Sequence, residues 1–166
     1  MEGEILVAGV GNIFLGDDAF GVEVVRRLAN RNLPDCVRVV DFGIRSYDLA
    51  YALMDPWELV ILVDAVPRGE EPGTIYTIEP ELPPTDSSPT AGFDAHSMNP
   101  VAVLQMVSAL GGTPGRMLVV GCEPGRLEFE TAAETGLSTP VQNSIETAIN
   151  TIETVIAGIV AKPNRA

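Results

Sequence analysis

The stretch ILVAGVGNIFLGDDAFGV, residues 5–22, decides how the rest of the chain folds. It opens with an unbroken apolar run, which is typical of a strand buried on both faces. Gly9 and Gly11 follow, and glycine accepts the backbone angles and close approaches of a tight strand-to-helix loop. Asp17 and Asp18 then stand where a helical apolar pattern begins, at the sheet edge where open α/β sheets build their sites. The stretch therefore predicts a strand, a tight loop and a helix that starts with two carboxylates.

The composition indicates one globular domain, residues 1–166, with an acidic surface. Hydrophobic residues make up 46% of the chain and charged residues 20%, which is enough for a sizeable core. The formal net charge is −13, and Lys162 is the single lysine. This balance argues against nucleic acid and anionic membranes as partners. It fits a cationic partner or a metal, and it equally fits an acidic surface that only keeps the protein in solution.

The two cysteines, Cys36 and Cys122, are far apart and form no CxxC motif. A disulfide scaffold is therefore disfavoured, and reduced thiols in a cytoplasmic protein fit better. Acidic residues precede the first strand, so we expect no signal peptide. No apolar run approaches the ~20 residues of a membrane span, so we expect no membrane partner.

The remaining pattern predicts alternating helices and strands. Helical periodicity predicts helices over residues 18–30, 46–54, 98–110 and 140–160. A second strand is predicted over residues 37–40, and buried apolar runs predict further strands over residues 59–63 and 117–120. Ser46 is the expected N-cap of the second helix, residues 74–78 form a short edge strand that could run antiparallel, and residues 79–94 form a long loop. This order predicts an α/β fold with a mostly parallel sheet covered by helices on both faces.

One interpretation of the glycines is a dinucleotide-binding loop. Gly9 and Gly11 match the start of GxGxxG, and Asp41 ends the next strand as a ribose-binding acid would. The third glycine position is Phe14, however, and the loop delivers carboxylates to the place where a pyrophosphate would sit. Those charges repel phosphate. A dinucleotide-binding module is therefore the weaker alternative.

Another interpretation is a metal site at one edge of the sheet. Asp18 follows the first strand, Asp64 ends the third, and His96 precedes a helix after the long loop. Two carboxylates and an imidazole suit a divalent transition metal with open coordination positions. Each residue also has a simpler interpretation: Asp18, or more readily Asp17, as a helix cap, Asp64 as a turn former, and His96 as a solvated loop residue. The spacing alone leaves both interpretations open.

Five sequence blocks resemble those of the hydrogenase maturation endopeptidases, which process the large subunit of nickel–iron hydrogenases. The blocks are GVGNxxxxDDxxGV at residues 9–22, DFG at 41–43, VDA at 63–65, the histidine at 96, and VGCEP at 120–124. They occur in order and span nearly the whole chain. The resemblance implies a three-layer α/β/α sandwich around a mostly parallel, twisted sheet of about five strands.

The resemblance also implies an activity and a partner. The protein would remove the C-terminal extension of a nickel-loaded large-subunit precursor, and we expect it to act as a monomer. The nickel would be supplied by the substrate precursor. The positions that contact nickel and form the catalytic site carry over to Asp18, Asp64 and His96. Many relatives have glutamate where this chain has Asp18 and glycine where it has Phe42. The carboxylate at position 18 is therefore one methylene shorter here, and the shape of the substrate groove near Phe42 differs.

Two mechanisms stay open at this stage. In one, Asp18, Asp64 and His96 hold a metal that activates water and polarises the scissile carbonyl, with Asp17 or Asp41 as the base. In the other, carboxylates perform acid–base catalysis without a catalytic metal, and nickel marks the precursor as complete. The family's grouping with aspartic-type endopeptidases reflects the second scheme. A nickel-dependent checkpoint protein that does not cleave is the non-enzyme alternative.

Two smaller expectations concern the cysteines and the long loop. The chain contains no GxSxG motif, and neither cysteine is near His96 in sequence. Cys36 is expected to fill a core position beside the second strand, and Cys122 is expected to pack rather than act as a nucleophile. Residues 79–94 are hypothesised to be mobile and to become ordered when the precursor docks.

Overall fold

A computed structural model describes residues 3–81, 100–129 and 135–162 of the chain. The strands of this part are β1 (Ile5–Val10), β2 (Val37–Gly43), β3 (Leu59–Ala65), β4 (Ile75–Ile78) and β5 (Met117–Cys122). The α-helices are α1 (Phe20–Leu28), α2 (Ser46–Ala52), α3 (Pro100–Ala109) and α4 (Thr139–Val160). A short 3-10 turn, Gly16–Ala19, precedes α1.

The strands form one sheet in the order β2-β1-β3-β5-β4. β1 pairs in parallel with both β2 and β3, and β3 pairs in parallel with β5, whereas β4 is an antiparallel edge strand. The prediction of a mostly parallel sheet is confirmed, and the short edge strand takes the antiparallel direction that the sequence had left open. Because β2 and β3 lie on opposite sides of β1, the chain order reverses there, and α/β sheets open a crevice at such a point.

Helices cover both faces of this sheet. Ile5 and Val7 of β1 point to one face and pack in a core with α1 and α4. Leu6 and Ala8 point to the other face and pack in a core with α2 and α3. This confirms the three-layer α/β/α sandwich. Every residue of β1 and of β3 is buried, as expected for strands covered on both sides.

Several local predictions differ from the structure. The first helix was expected from residue 18, but residues 16–19 form the 3-10 turn and α1 starts at Phe20. Ser46 is not an N-cap; Arg45 holds that position without a side-chain cap bond. The Arg45 guanidinium instead binds the backbone oxygens of Asp41 and Phe42, which end β2. Cys36 is half-buried rather than a core residue.

Other predictions lie partly or wholly outside the described residues. His96 is one of them, and so are most of the loop over residues 79–94 and the start of the helix expected from residue 98. Both cysteines are free thiols, and Cys122 is buried in the core as predicted. Within the described segments, no helix has the length and apolar character needed to span a membrane.

Candidate active site at the carboxyl ends of β1 and β3

Two glycines bring the start of α1 and the preceding turn against the backbone of the sheet. A Cβ at Gly21 would lie 2.1 Å from the backbone oxygen of Val63 and 2.4 Å from that of Val10. Gly11 has a φ of +141°, and a Cβ there would lie 1.8 Å from the backbone oxygen of Asp18. A side chain fits at neither position. The glycines of the opening stretch therefore hold the Asp18 turn close to the ends of β1 and β3.

Asp18 is half-buried in this turn. Its Oδ2 accepts a 2.8 Å hydrogen bond from the backbone N–H of Asn12. Burial raises the pKa of Asp18 above its ordinary value, and the Asn12 bond offsets part of that rise. The cap positions of the 3-10 turn and of α1 belong to Leu15 and Ala19, and neither helix end has a side-chain cap bond. The interpretation of Asp18 as a helix cap is therefore wrong.

Asp64 lies within β3, so it is a strand residue rather than a turn former. It is 5% exposed. Burial raises the pKa of Asp64 well above its ordinary value, and repulsion by the charge of Asp18 raises that pKa further. The two carboxyls thus interact across the ends of β1 and β3. A shared proton or a bound cation would relieve their repulsion.

His96, the third residue predicted for this site, lies outside the described residues, and its place in the site stays a prediction. In residues 3–81, 100–129 and 135–162, no group of three or more His, Cys, Asp and Glu side chains is arranged to hold a metal ion. The described part of the chain therefore supplies two of the three predicted ligands.

Asp17 has a different role from its neighbour. Its side chain is completely buried, and it accepts hydrogen bonds from Gly125, Arg126 and Ser138. It therefore caps neither its own turn nor α1, and its carboxyl is not available as the base. These partners are more than 100 residues away along the chain, and no sequence pattern near Asp17 pointed to them.

Asp41 faces a surface groove beside the Asp18 turn. The groove has a volume of ≈ 400 Å³. Its lining includes Asn12, Ile13, Phe14, Asp41 and Ile44. Phe14 and Ile44 are each 63% exposed, so the groove has an apolar rim in contact with solvent. Arg26 forms an ion pair with Asp41, with 3.3 Å between Nε and Oδ2.

Glu123 is a further residue of this region, known from sequence only as part of the VGCEP block. It is 5% exposed and lies just after β5. Its carboxylate accepts hydrogen bonds from the N–H of Arg68 at 2.8 Å and from the hydroxyl of Tyr76 at 2.6 Å. The Tyr76 bond lowers the pKa of Glu123, and burial together with Glu123 raises the pKa of Tyr76 to about 12. Glu123 thereby fixes the loop that follows Asp64.

A family model described as hydrogenase maturation protease matches residues 22–155. That range includes Asp64 and His96 and begins just after Asp18. A protein of Methanocaldococcus jannaschii named as a hydrogenase maturation protease is 36% identical over 151 residues, which cover 90% of this chain and 94% of that protein. The hydrogenase 2 maturation protease of Escherichia coli is 32% identical over 165 residues, which cover 98% of this chain and 97% of that protein.

The fold is similar to a solved structure with a related name. The hydrogenase-maturating endopeptidase HybD of Escherichia coli superposes with a TM-score of 0.74 and 30% sequence identity. The superposition covers 93% of each chain, so it includes all three layers of the sandwich.

Proposed function

Since this chain belongs to the hydrogenase maturation protease family, we propose that it cuts a hydrogenase large-subunit precursor at a centre formed by Asp18 and Asp64. The chain is accordingly a hydrolase, an endopeptidase of hydrogenase maturation. The cut removes the C-terminal extension of the precursor after nickel has been inserted. His96 completes the centre from the segment before α3.

The interaction between Asp18 and Asp64 carries this proposal. Peptide hydrolysis needs a group that takes a proton from water and a group that gives one to the scissile amide. Two coupled carboxyls in unequal surroundings divide these roles, because the more buried one keeps its proton to higher pH. Asp64 is the more buried of the two, so we assign it the acid and assign Asp18 the base. The charge of Asp18 raises the pKa of Asp64, so each role depends on the protonation state of the other carboxyl.

The nickel of the precursor is part of the substrate in a second arrangement of the same centre, in which Asp18 and Asp64 are both deprotonated and Asp41 is the base. Carboxylate oxygens and an imidazole nitrogen are ligands that divalent transition metals accept. The repulsion that raises the pKa of Asp64 is also relieved by a cation between the two carboxyls. Asp18, Asp64 and His96 would then hold the metal centre of the docked precursor, and they would distinguish loaded from unloaded precursor.

The groove beside Asp18 suits the chain of the precursor next to the cut. Ile13, Phe14 and Ile44 offer apolar surface, and Asp41 lies among them at the end of β2. An extended segment with apolar side chains would bury this rim and bring its peptide bond to the dyad. Asp41 stays a second candidate for the base. The cytoplasm and a monomeric state remain predictions of the same proposal.

The test uses purified nickel-loaded and nickel-free precursor with the wild-type protein, followed by intact mass measurement. We expect a C-terminal mass loss from the loaded form alone. Asp64→Asn and His96→Ala should abolish it. Asp35→Asn is a matched control, because Asp35 is exposed and precedes β2 at the opposite edge of the sheet.

Two outcomes would contradict the proposal. Cleavage of neither form by the wild-type protein would favour the checkpoint alternative. Normal cleavage by Asp64→Asn would show that Asp64 is not part of the catalytic centre, although the protein would still be a protease.

A further inference from the structure

Asp17 joins three segments of the chain around one buried carboxylate. Its Oδ2 accepts hydrogen bonds from the backbone N–H groups of Gly125 and Arg126, both at 2.8 Å, and from the hydroxyl of Ser138 at 2.7 Å. Its Oδ1 accepts a 2.7 Å bond from the backbone N–H of Ser138. The side chain is 0% exposed. A carboxylate with four donors is well compensated for its burial.

The backbone of the same turn reinforces this attachment. The N–H of Asp17 donates a 2.7 Å hydrogen bond to the backbone oxygen of Arg126. A Cβ at Gly16 would lie 2.7 Å from that same oxygen, so the turn and the segment at Arg126 are in direct contact. Asp17 therefore both donates to this segment and accepts from it.

The hydroxyl of Ser138 binds Asp17 and does not cap its own helix. It holds the N-cap position of α4, where a serine hydroxyl ordinarily accepts a hydrogen bond from the helix. No side-chain cap bond is present there, and the hydroxyl donates to Asp17 instead. α4 has 22 residues, and one of its faces is buried in the core. The position of its first residues in the fold is therefore well fixed.

The hydrogen bonds of Asp18, by contrast, are local. Its N–H donates to the backbone oxygen of Leu15 at 3.0 Å, and its Oδ2 accepts from Asn12 at 2.8 Å. These bonds orient the carboxyl within the turn. The neighbouring Asp17 connects that turn to the start of α4.

We propose that Asp17 is a positioning residue that holds the Asp18 carboxyl in place by fixing its turn to Ser138 and to the segment at Gly125 and Arg126. The proposal rests on the proposed function, because it takes Asp18 as a group of the catalytic centre. An asparagine at position 17 keeps the size of the side chain. It turns an amide N–H₂ toward backbone N–H donors and leaves at least one of them without an acceptor.

The amide of Asn12 reports where the Asp18 carboxyl lies, because it donates to that carboxyl. The experiment records amide hydrogen exchange and the ¹H–¹⁵N shift of Asn12 by NMR in the full chain, without precursor. In Asp17→Asn we expect exchange at Asn12 to become about five- to tenfold faster, the factor for losing one hydrogen bond of typical strength. Asp18→Ala gives the signal for complete loss of the bond. Ile149→Val, in the buried face of α4, controls for a general loss of stability.

Ser138→Ala keeps the proposal testable if Asp17→Asn does not fold. This substitution removes one of the four hydrogen-bond donors to Asp17. We therefore expect amide exchange at Asn12 to be faster than in the wild type, but less so than in Asp17→Asn. In the cleavage assay of folded variants, kcat should fall while KM for the precursor holds, because the apolar groove is unchanged. An Asn12 amide that matches the wild-type protein in Ser138→Ala, and in Asp17→Asn where it folds, would overturn the proposal. The NMR result stands even if the wild-type protein cleaves no precursor.

Discussion

Asp64, near the carboxyl end of β3, is repelled by the charge of Asp18, which lies in the turn between β1 and α1. Burial is the main reason that the pKa of Asp64 is raised, and the charge of Asp18 adds to it. The topology creates the pair, because β1 and β3 are parallel neighbours whose carboxyl ends share one edge of the sheet. Burying two carboxyls close enough to repel each other lowers the free energy of unfolding. The same burial gives the carboxyls the shifted pKa values that make them reactive.

The first prediction concerns stability against pH. A carboxyl whose pKa is raised by folding contributes its stability below the unfolded value of 3.8, and that contribution is lost as the pH rises through the folded value. The free energy of unfolding of the wild-type protein should therefore fall, relative to Asp64→Asn, as the pH rises above 3.8. Urea denaturation of both proteins from pH 4 to pH 8 measures this difference. The free energy of unfolding of the wild type minus that of Asp64→Asn is the quantity compared. A difference that stays constant or rises with pH would contradict the raised pKa.

Glu123 should show the opposite dependence. Its pKa is lowered by the bond from Tyr76, so its contribution to stability is present above its unfolded value and is lost as the pH falls through the folded value. Glu123→Gln should lower the urea midpoint at pH 7 and remove that part of the acid sensitivity. Tyr76→Phe removes one donor and should produce part of the same change. Equal acid sensitivity in Glu123→Gln and wild type would show that Glu123 does not hold the loop after β3.

The sequence predicted the centre of the sheet well because β1, β3 and β5 are short apolar runs that are buried along their whole length. The alternating strand β4 lies at the edge and runs antiparallel, which was one of the directions left open. The meeting of Asp18 and Asp64 was also predictable, because Asp64 comes near the end of β3 and Asp18 follows the neighbouring parallel strand β1. The periodicity of apolar residues and the succession of strands along the chain are properties of the sequence itself, so they can be inferred without a structure.

Contacts between distant residues were not predictable in this way. Asp17 looked like a helix cap, and its partner Ser138 lies 121 residues further along the chain. Ser46 looked like an N-cap, but the Arg45 side chain binds the backbone at the end of β2 instead. Asp17 had a plausible local role, and partners distant along the chain provided another one. The Arg45 contacts are only three and four residues away, so there the prediction failed at short range. His96 stays a prediction from sequence.

The apolar rim of the groove should matter for binding the precursor rather than for folding. Phe14 is 63% exposed, so Phe14→Ser should change the free energy of unfolding by less than about 0.5 kcal/mol. Removing an aromatic contact from the groove should raise KM for the precursor roughly tenfold with kcat nearly unchanged. Val160→Ser is the control, because Val160 is 51% exposed at the far end of α4. Cleavage kinetics of Phe14→Ser that match those of Val160→Ser would remove the groove from the binding site.

The contact between α1 and the sheet should tolerate no side chain at Gly21. A methyl group there would lie 2.1 Å from the backbone oxygen of Val63, so Gly21→Ala must displace α1 or β3. Overpacking against backbone should reduce the free energy of unfolding by about 2 kcal/mol or more. It should also lower kcat, since Val63 precedes Asp64 and the start of α1 follows Asp18.

Gly158 provides the matched control for this substitution. It is exposed within α4, and a Cβ there would meet nothing within 4 Å. Gly158→Ala should therefore increase the free energy of unfolding by about 0.5–1 kcal/mol, because alanine loses less backbone entropy than glycine in a helix. Urea denaturation should show opposite changes in the free energy of unfolding of the two variants, and cleavage kinetics should show a lower kcat for Gly21→Ala alone. A Gly21→Ala protein with wild-type stability and kcat would show that close packing of α1 on β3 is not what positions the two carboxyls.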